Sequence, residues 1–95
     1  PGPLQIGLHY DDAYARVVKG LEVRIGGAVR ADDRANRRVE ASFGLTFTER
    51  LACSVERIDD ERTRVTIEAR WPAGAVPKER SAYVDALAAY LGGEA

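Results

Sequence analysis

One thiol, one imidazole, two acidic clusters and a crowd of arginines are the groups in this 95-residue chain whose chemistry could serve a site. Cys53 as a nucleophile or redox sensor would need exposure and a neighbour that lowers its pKa. It falls between Leu51 and Val55 on the apolar side of an alternating run, so a small core residue is expected. His9 has the right chemistry for a general base, but no spacing brings a Ser or Cys nucleophile to it. A surface histidine on the polar side of the first strand is the expectation. Asp32-Asp33 and Asp59-Asp60-Glu61 lack the longer run of oxygen ligands and the sharp-turn glycine of a calcium loop. Both fall at hairpin ends, where such residues bond their own backbone. A metal site built of Cys or His ligands needs more than one of each. No catalytic residue, metal ligand or cofactor is therefore expected. The chain reads as a non-enzyme unless a partner chain completes a site.

The cations are twelve Arg and two Lys, against 15 acids, for a net charge of −1. Arg30, Arg34, Arg37 and Arg38 crowd the first hairpin, and Arg50, Arg62, Arg64 and Arg70 fall on the polar side of the strands. An RNA-binding sheet would stack bases on exposed aromatics. The polar positions hold none, and Glu40, Glu56 and Glu68 are interleaved. A salt-bridged, solvated face is expected, and nucleic acid is an unlikely partner for a domain whose pI is near 5.8.

The elements that must position these groups follow from periodicity. From Val39 the odd positions are apolar: Val39, Ala41, Phe43, Leu45, Phe47, then Leu51, Cys53, Val55, then Thr63, Val65, Ile67, Ala69, Trp71. The intervening positions are mostly polar. Period-two alternation predicts an antiparallel sheet with one buried and one wet face. Leu4, Ile6, Leu8 and Tyr10 predict a short leading strand. Asp11 or Asp12 then caps a helix whose stripe is Tyr14, Val17, Val18, Leu21 and Ile25, ended by Gly26-Gly27. A short strand, Ala28–Ala31, leads into the turn 32–36. Keeping inward residues opposite one another pairs Val29 with Val39, Leu45 with Leu51, Phe43 with Cys53, Val55 with Val65, and Cys53 with Ile67. The last register sets Glu56 across from Arg64 and leaves a three-residue loop, Asp59 to Glu61. Pro72, Gly74 and Pro77 break the chain, and Lys78 to Leu91 forms a closing helix with Tyr83, Val84, Leu87, Ala88, Tyr90 and Leu91 on one stripe. Two amphipathic helices need an apolar surface and the meander offers one. The expected fold is α+β: a two-layer sandwich, an antiparallel meander of four to five strands with two helices on one face, in the order β-α-β-β-β-β-α.

Residues 1–95 read as a single α+β domain, with Pro1-Gly2-Pro3 as a processed start or an expression remnant. No apolar run approaches the roughly 20 residues of a membrane span. A cytoplasmic location is expected, or a secreted or anchored one if a leader was removed. Trp71 is expected to pack under the closing helix. The sharper reading makes it a wall of an apolar cleft, shared with Phe43, Phe47, Tyr83 and Tyr90, that would hold a small apolar ligand.

The run Arg38-Val39-Glu40-Ala41-Ser42-Phe43-Gly44-Leu45, with the Thr-Arg-Val-Thr-Ile strand and a closing helix, resembles small bacterial α+β domains of unknown function. The layout also resembles a shortened helix-grip domain of the START and Bet v 1-like superfamily. The resemblance implies a non-enzymatic domain with a lipophilic cleft between closing helix and sheet. It transfers no functional residue. Two functions are carried forward: a non-catalytic binding or protein-interaction module, with itself as a homodimer or another protein as partner, and a carrier of a small apolar ligand.

Overall fold

A computed structural model describes residues 3–44, 49–71 and 81–92. Eight elements follow one another: strand β1 (Leu4–Ile6), helix α1 (Tyr10–Lys19), a π-helical turn (Gly20–Arg24), β2 (Ala28–Asp33), β3 (Arg38–Phe43), β4 (Glu49–Arg57), β5 (Thr63–Arg70) and helix α2 (Ala82–Leu91). The strands make one antiparallel sheet in the order β1-β5-β4-β3-β2. Both helices cover the odd-numbered face. Tyr14, Val17 and Leu21 below, and Val84, Leu87 and Leu91 above, share one core with Val39, Ala41, Phe43, Leu51, Cys53, Val55 and Val65. The expected α+β sandwich is the observed architecture. No described helix is long and apolar enough to cross a membrane.

The opposite face is wet and ion-paired, as its alternation implies. Glu40 meets Arg38 at 3.5 Å and Arg50 at 3.6 Å, Glu56 meets Arg64 at 2.8 Å, and Glu68 meets Arg70 at 3.4 Å. Such exposed pairs are worth roughly 0–1 kcal/mol each, so they keep the face soluble more than they hold the fold.

Registers were legible at one hairpin and not at the other two. Between β4 and β5, Val55 lies opposite Val65, Cys53 opposite Ile67 and Glu56 opposite Arg64, as parity predicts. Ile58 N–H donates to the Arg62 carbonyl at 3.0 Å, closing the loop 59–61. Between β3 and β4 the expected Phe43–Cys53 pair is wrong: Phe43 lies opposite Glu49, and Cys53 opposite Val39. Gly44, with φ 90°, turns the chain immediately after Phe43, so β4 starts earlier than expected and the register moves by four residues while parity is kept. Leu45, and hence its expected pairing with Leu51, lies outside the described residues. Between β2 and β3, Val29 lies opposite Ala41 rather than Val39, and a bulge separates Val29 from Ala31. The extra residue reverses parity, so Asp32 takes the place opposite Val39.

Three element ends also differ from expectation. β1 stops at Ile6, because Leu8 N–H turns back to the Ile6 carbonyl at 2.8 Å and the Leu8 carbonyl accepts from Thr63 Oγ1 at 2.9 Å. The cap of α1 is His9 rather than either aspartate: its Nδ1 accepts the Asp11 N–H at 3.2 Å, while Asp11 and Asp12 lie in the first turn and favour its positive end. α2 starts at Ala82, with Ser81 Oγ accepting the Val84 N–H at 3.2 Å. Residues 72–80, where Pro72, Gly74, Pro77 and Lys78 fall, lie outside the described residues.

Candidate functional site

Antiparallel topology gathers three connections at one end of the sheet. β1 ends beside the start of β5, since Ile6 pairs with Thr63. β3 starts beside the end of β4, and Val55 N–H donates to the Arg37 carbonyl at 2.9 Å. The segment 7–9, the turn 34–37 and the hairpin 58–62 therefore crowd together, with the N-terminus of α1 among them. The result is a cleft of about 310 Å3 lined by His9, Tyr10, Asp11, Arg34, Arg37 and Arg57.

Each cation is held differently. Arg34 reaches Asp11 Oδ1 at 3.2 Å and lies over the Tyr14 ring, 4.5 Å from its centroid. Arg57 donates to Asp60, its neighbour three residues on. Arg37 makes no ion pair among the described residues. Its backbone sits at φ 60°, a left-handed conformation that glycine or asparagine adopts more readily than arginine. The Asp33 carboxylate shapes this turn by accepting from Asn36 N–H at 3.2 Å and Asn36 Nδ2 at 2.7 Å. Those bonds hold Asp33 below the usual carboxylate range, the side-chain bond most. Asp59 is lowered in the same way by Arg62 first and then by the Glu61 N–H. Asp33 and Asp59 thus do the turn chemistry expected of their clusters, while Asp32 and Asp60 bond side chains instead.

The floor beneath the cleft is Tyr14, whose hydroxyl donates to Asp32 Oδ1 at 2.5 Å and approaches the Arg38 carbonyl at 3.3 Å. The β2 bulge makes this possible by turning Asp32 toward the helix face. Burial first, and the Asp32 bond second, push the Tyr14 phenol above the usual tyrosine range. Tyr10 stands beside it, ring centroids 6.0 Å apart, with a buried hydroxyl that has no hydrogen-bond partner among the described residues.

The aromatic residues expected to line a cleft divide between two places. Phe43 is buried and stacks on Tyr83 at 4.6 Å, at the sheet end opposite the arginines. Trp71, half-buried, follows β5 at that same end, and its indole N–H is buried without a partner among the described residues. Tyr90 lies elsewhere, against Gly20, with the Arg16 guanidinium 4.2 Å over its ring. Phe47 lies outside the described residues. Two polar groups missed in the sequence join the Phe43 end. Glu49 is only 3% exposed, opposite Phe43, and accepts from the Ser81 hydroxyl. Periodicity had left Glu49 in a connection, so nothing marked it as buried.

Cys53 is fully buried, and burial pushes its thiol up to about 12. His9 is exposed and serves as the helix cap. Among the described residues no three His, Cys, Asp or Glu side chains are grouped to hold a metal ion. The domain belongs to the two-layer α+β class by its fold. No protein-family model, curated protein or solved structure matches this chain.

Proposed function

We propose that this domain is a non-catalytic binding module that receives an acidic segment of a partner protein in the arginine-lined cleft. One observation carries the reading: the β2–β3 turn delivers Arg34 and Arg37, and the end of β4 delivers Arg57, to a single cleft at the N-terminus of α1. Guanidinium groups and helix N-termini both favour anions. The test is a titration of 15N-labelled protein with a hexaglutamate peptide at low salt. Saturable shifts confined to residues 9–12, 34–37 and 57, lost at high salt, support it. Shifts absent, or spread over the Arg50–Arg70 face, sink it. Self-association is part of the same proposal. β1 covers only Thr63–Val65, and on that side of β5 no described strand continues beyond Val65. A bare edge of this kind invites a second strand. A concentration-independent monomer in sedimentation removes that part.

A second reading, a carrier of a small apolar ligand between α2 and the sheet, is favoured by the Trp71 indole, buried with no partner among the described residues at the sheet end that holds the Phe43–Tyr83 stack. The likeness to helix-grip domains points the same way. Native mass spectrometry of protein made in cells tests it: a retained lipophilic adduct supports the carrier, and bare protein together with no saturable binding of an apolar dye removes it.

A further inference from the structure

We propose that the group the cleft recognises is a phosphate, held by Arg34, Arg37 and Arg57 over the first turn of α1. The inference rests on the binding-module reading and narrows its ligand. A planar carboxylate is satisfied by one guanidinium fork. Arginines arriving from a turn and from a strand end, beside the positive end of a helix, instead surround a tetrahedral group that carries up to two charges. Arg34 and Arg37 come from the β2–β3 turn and Arg57 from the end of β4, so they approach from different sides. The cleft, at about 310 Å3, has room for a phosphate together with the group that carries it.

The competing acids are weak rivals. Asp11 and Asp60 are 65% and 81% exposed, so their pairs with Arg34 and Arg57 are solvated and exchange readily. Asp32 is engaged by the Tyr14 hydroxyl, and Asp33 by Asn36. Among the described residues Arg37 has no acid to leave. It also occupies a left-handed backbone position where glycine would sit without strain. Anion binding by its side chain would offset that strain.

The experiment is a 15N titration that follows backbone amides and arginine Nε–Hε groups, run at fixed ionic strength. The probes are inorganic phosphate, acetate and a phosphoserine-containing peptide. Phosphate is expected to shift residues 9–12, 34–37 and 57 saturably, and acetate at least tenfold more weakly. The Arg37→Gly variant relieves the backbone, so it folds at least as firmly as the parent. It should nevertheless lose roughly tenfold in phosphate affinity, the scale of one charge-assisted contact. Arg70→Ala, at the far end of the sheet, should change nothing. Tighter binding of the phosphopeptide than of inorganic phosphate makes a protein-borne phosphate the source, and equal binding makes it the free anion. Equal responses to acetate and phosphate, or full phosphate affinity in Arg37→Gly, overturn the assignment. If hexaglutamate shifts the cleft and phosphate does not, the phosphate is wrong and the binding module stands. If neither does, both fall.

Discussion

Gly20 is where a rule about helices and the packing of this domain give opposite answers. It ends α1 with φ −60° and ψ −45°, an ordinary right-handed conformation that alanine adopts freely. Helix propensity alone then predicts that Gly20→Ala stabilises by about 1 kcal/mol. The tertiary contact reverses the sign. A Cβ at Gly20 would lie 2.7 Å from Leu87 Cδ1 and 3.0 and 3.2 Å from the Tyr90 ring, where carbon contacts normally need about 3.5–4.0 Å. Neither neighbour yields easily. Leu87 is fully buried, and Tyr90 is pinned by Arg16, whose Nη2 donates to the Tyr90 carbonyl at 2.7 Å. α2 must lift off the π-helical turn by a good fraction of an ångström. Overpacking of this kind costs about 1–3 kcal/mol. The expected balance is a net loss of about 1 kcal/mol, or about 4–8 °C in Tm for a domain of this size. Urea unfolding followed by circular dichroism measures it, with the midpoint falling and the slope unchanged. A Leu87→Ala background removes the closest of these contacts and leaves those to Tyr90, so the same substitution should cost less there, and the double-mutant cycle reads the coupling directly. A single Gly20→Ala variant with a raised midpoint would refute the close approach of α2 to Gly20.

Tyr14→Phe should cost about 1 kcal/mol at neutral pH, by removing the bonds to Asp32 and the Arg38 carbonyl, with the exposed Asp32 returning to water. Because the folded phenol ionises later than the ordinary 10.0 of an unfolded tyrosine, its contribution is complete below pH 10 and is lost as pH rises beyond it. The variant's stability should therefore fall less steeply above pH 10, and an identical alkaline slope in both proteins counts against the buried Tyr14–Asp32 pair. Cys53 acts in the same direction: raised from 9.0 to about 12, it withdraws stability between those pH values, by up to about 1.4 kcal/mol per pH unit. Its thiol should react with an aromatic disulfide only at the rate of opening, and rapid stoichiometric labelling of the native protein would place Cys53 outside the core. Tyr10→Phe removes a buried hydroxyl that has no partner among the described residues, so thermal melts should show equal or greater stability, by up to about 1 kcal/mol. A clear loss would mean that the hydroxyl is satisfied in solution.

Alternation by itself determined which side of this sheet is buried. Val39, Ala41, Phe43, Leu51, Cys53, Val55 and Val65 had to share a face, because strand side chains repeat every second residue whatever the partner strand. Two of those strands also carried their register, since Val55–Val65 and Glu56–Arg64 agree on both faces with a three-residue acidic loop. Tertiary structure decided the rest. Gly44 ended β3 sooner than hydrophobicity suggested, and a bulge before Ala31 turned Asp32 inward to Tyr14, because one extra residue reverses parity without leaving a mark in composition. The aromatic set, one stripe on paper, was divided by the length of α2: Tyr83 meets Phe43 while Tyr90 meets Gly20. His9, Arg34 and Arg57 are far apart in the chain and on no common period. Only the return of antiparallel strands to the same end brings them to one cleft, and that closure is a property of the folded sheet.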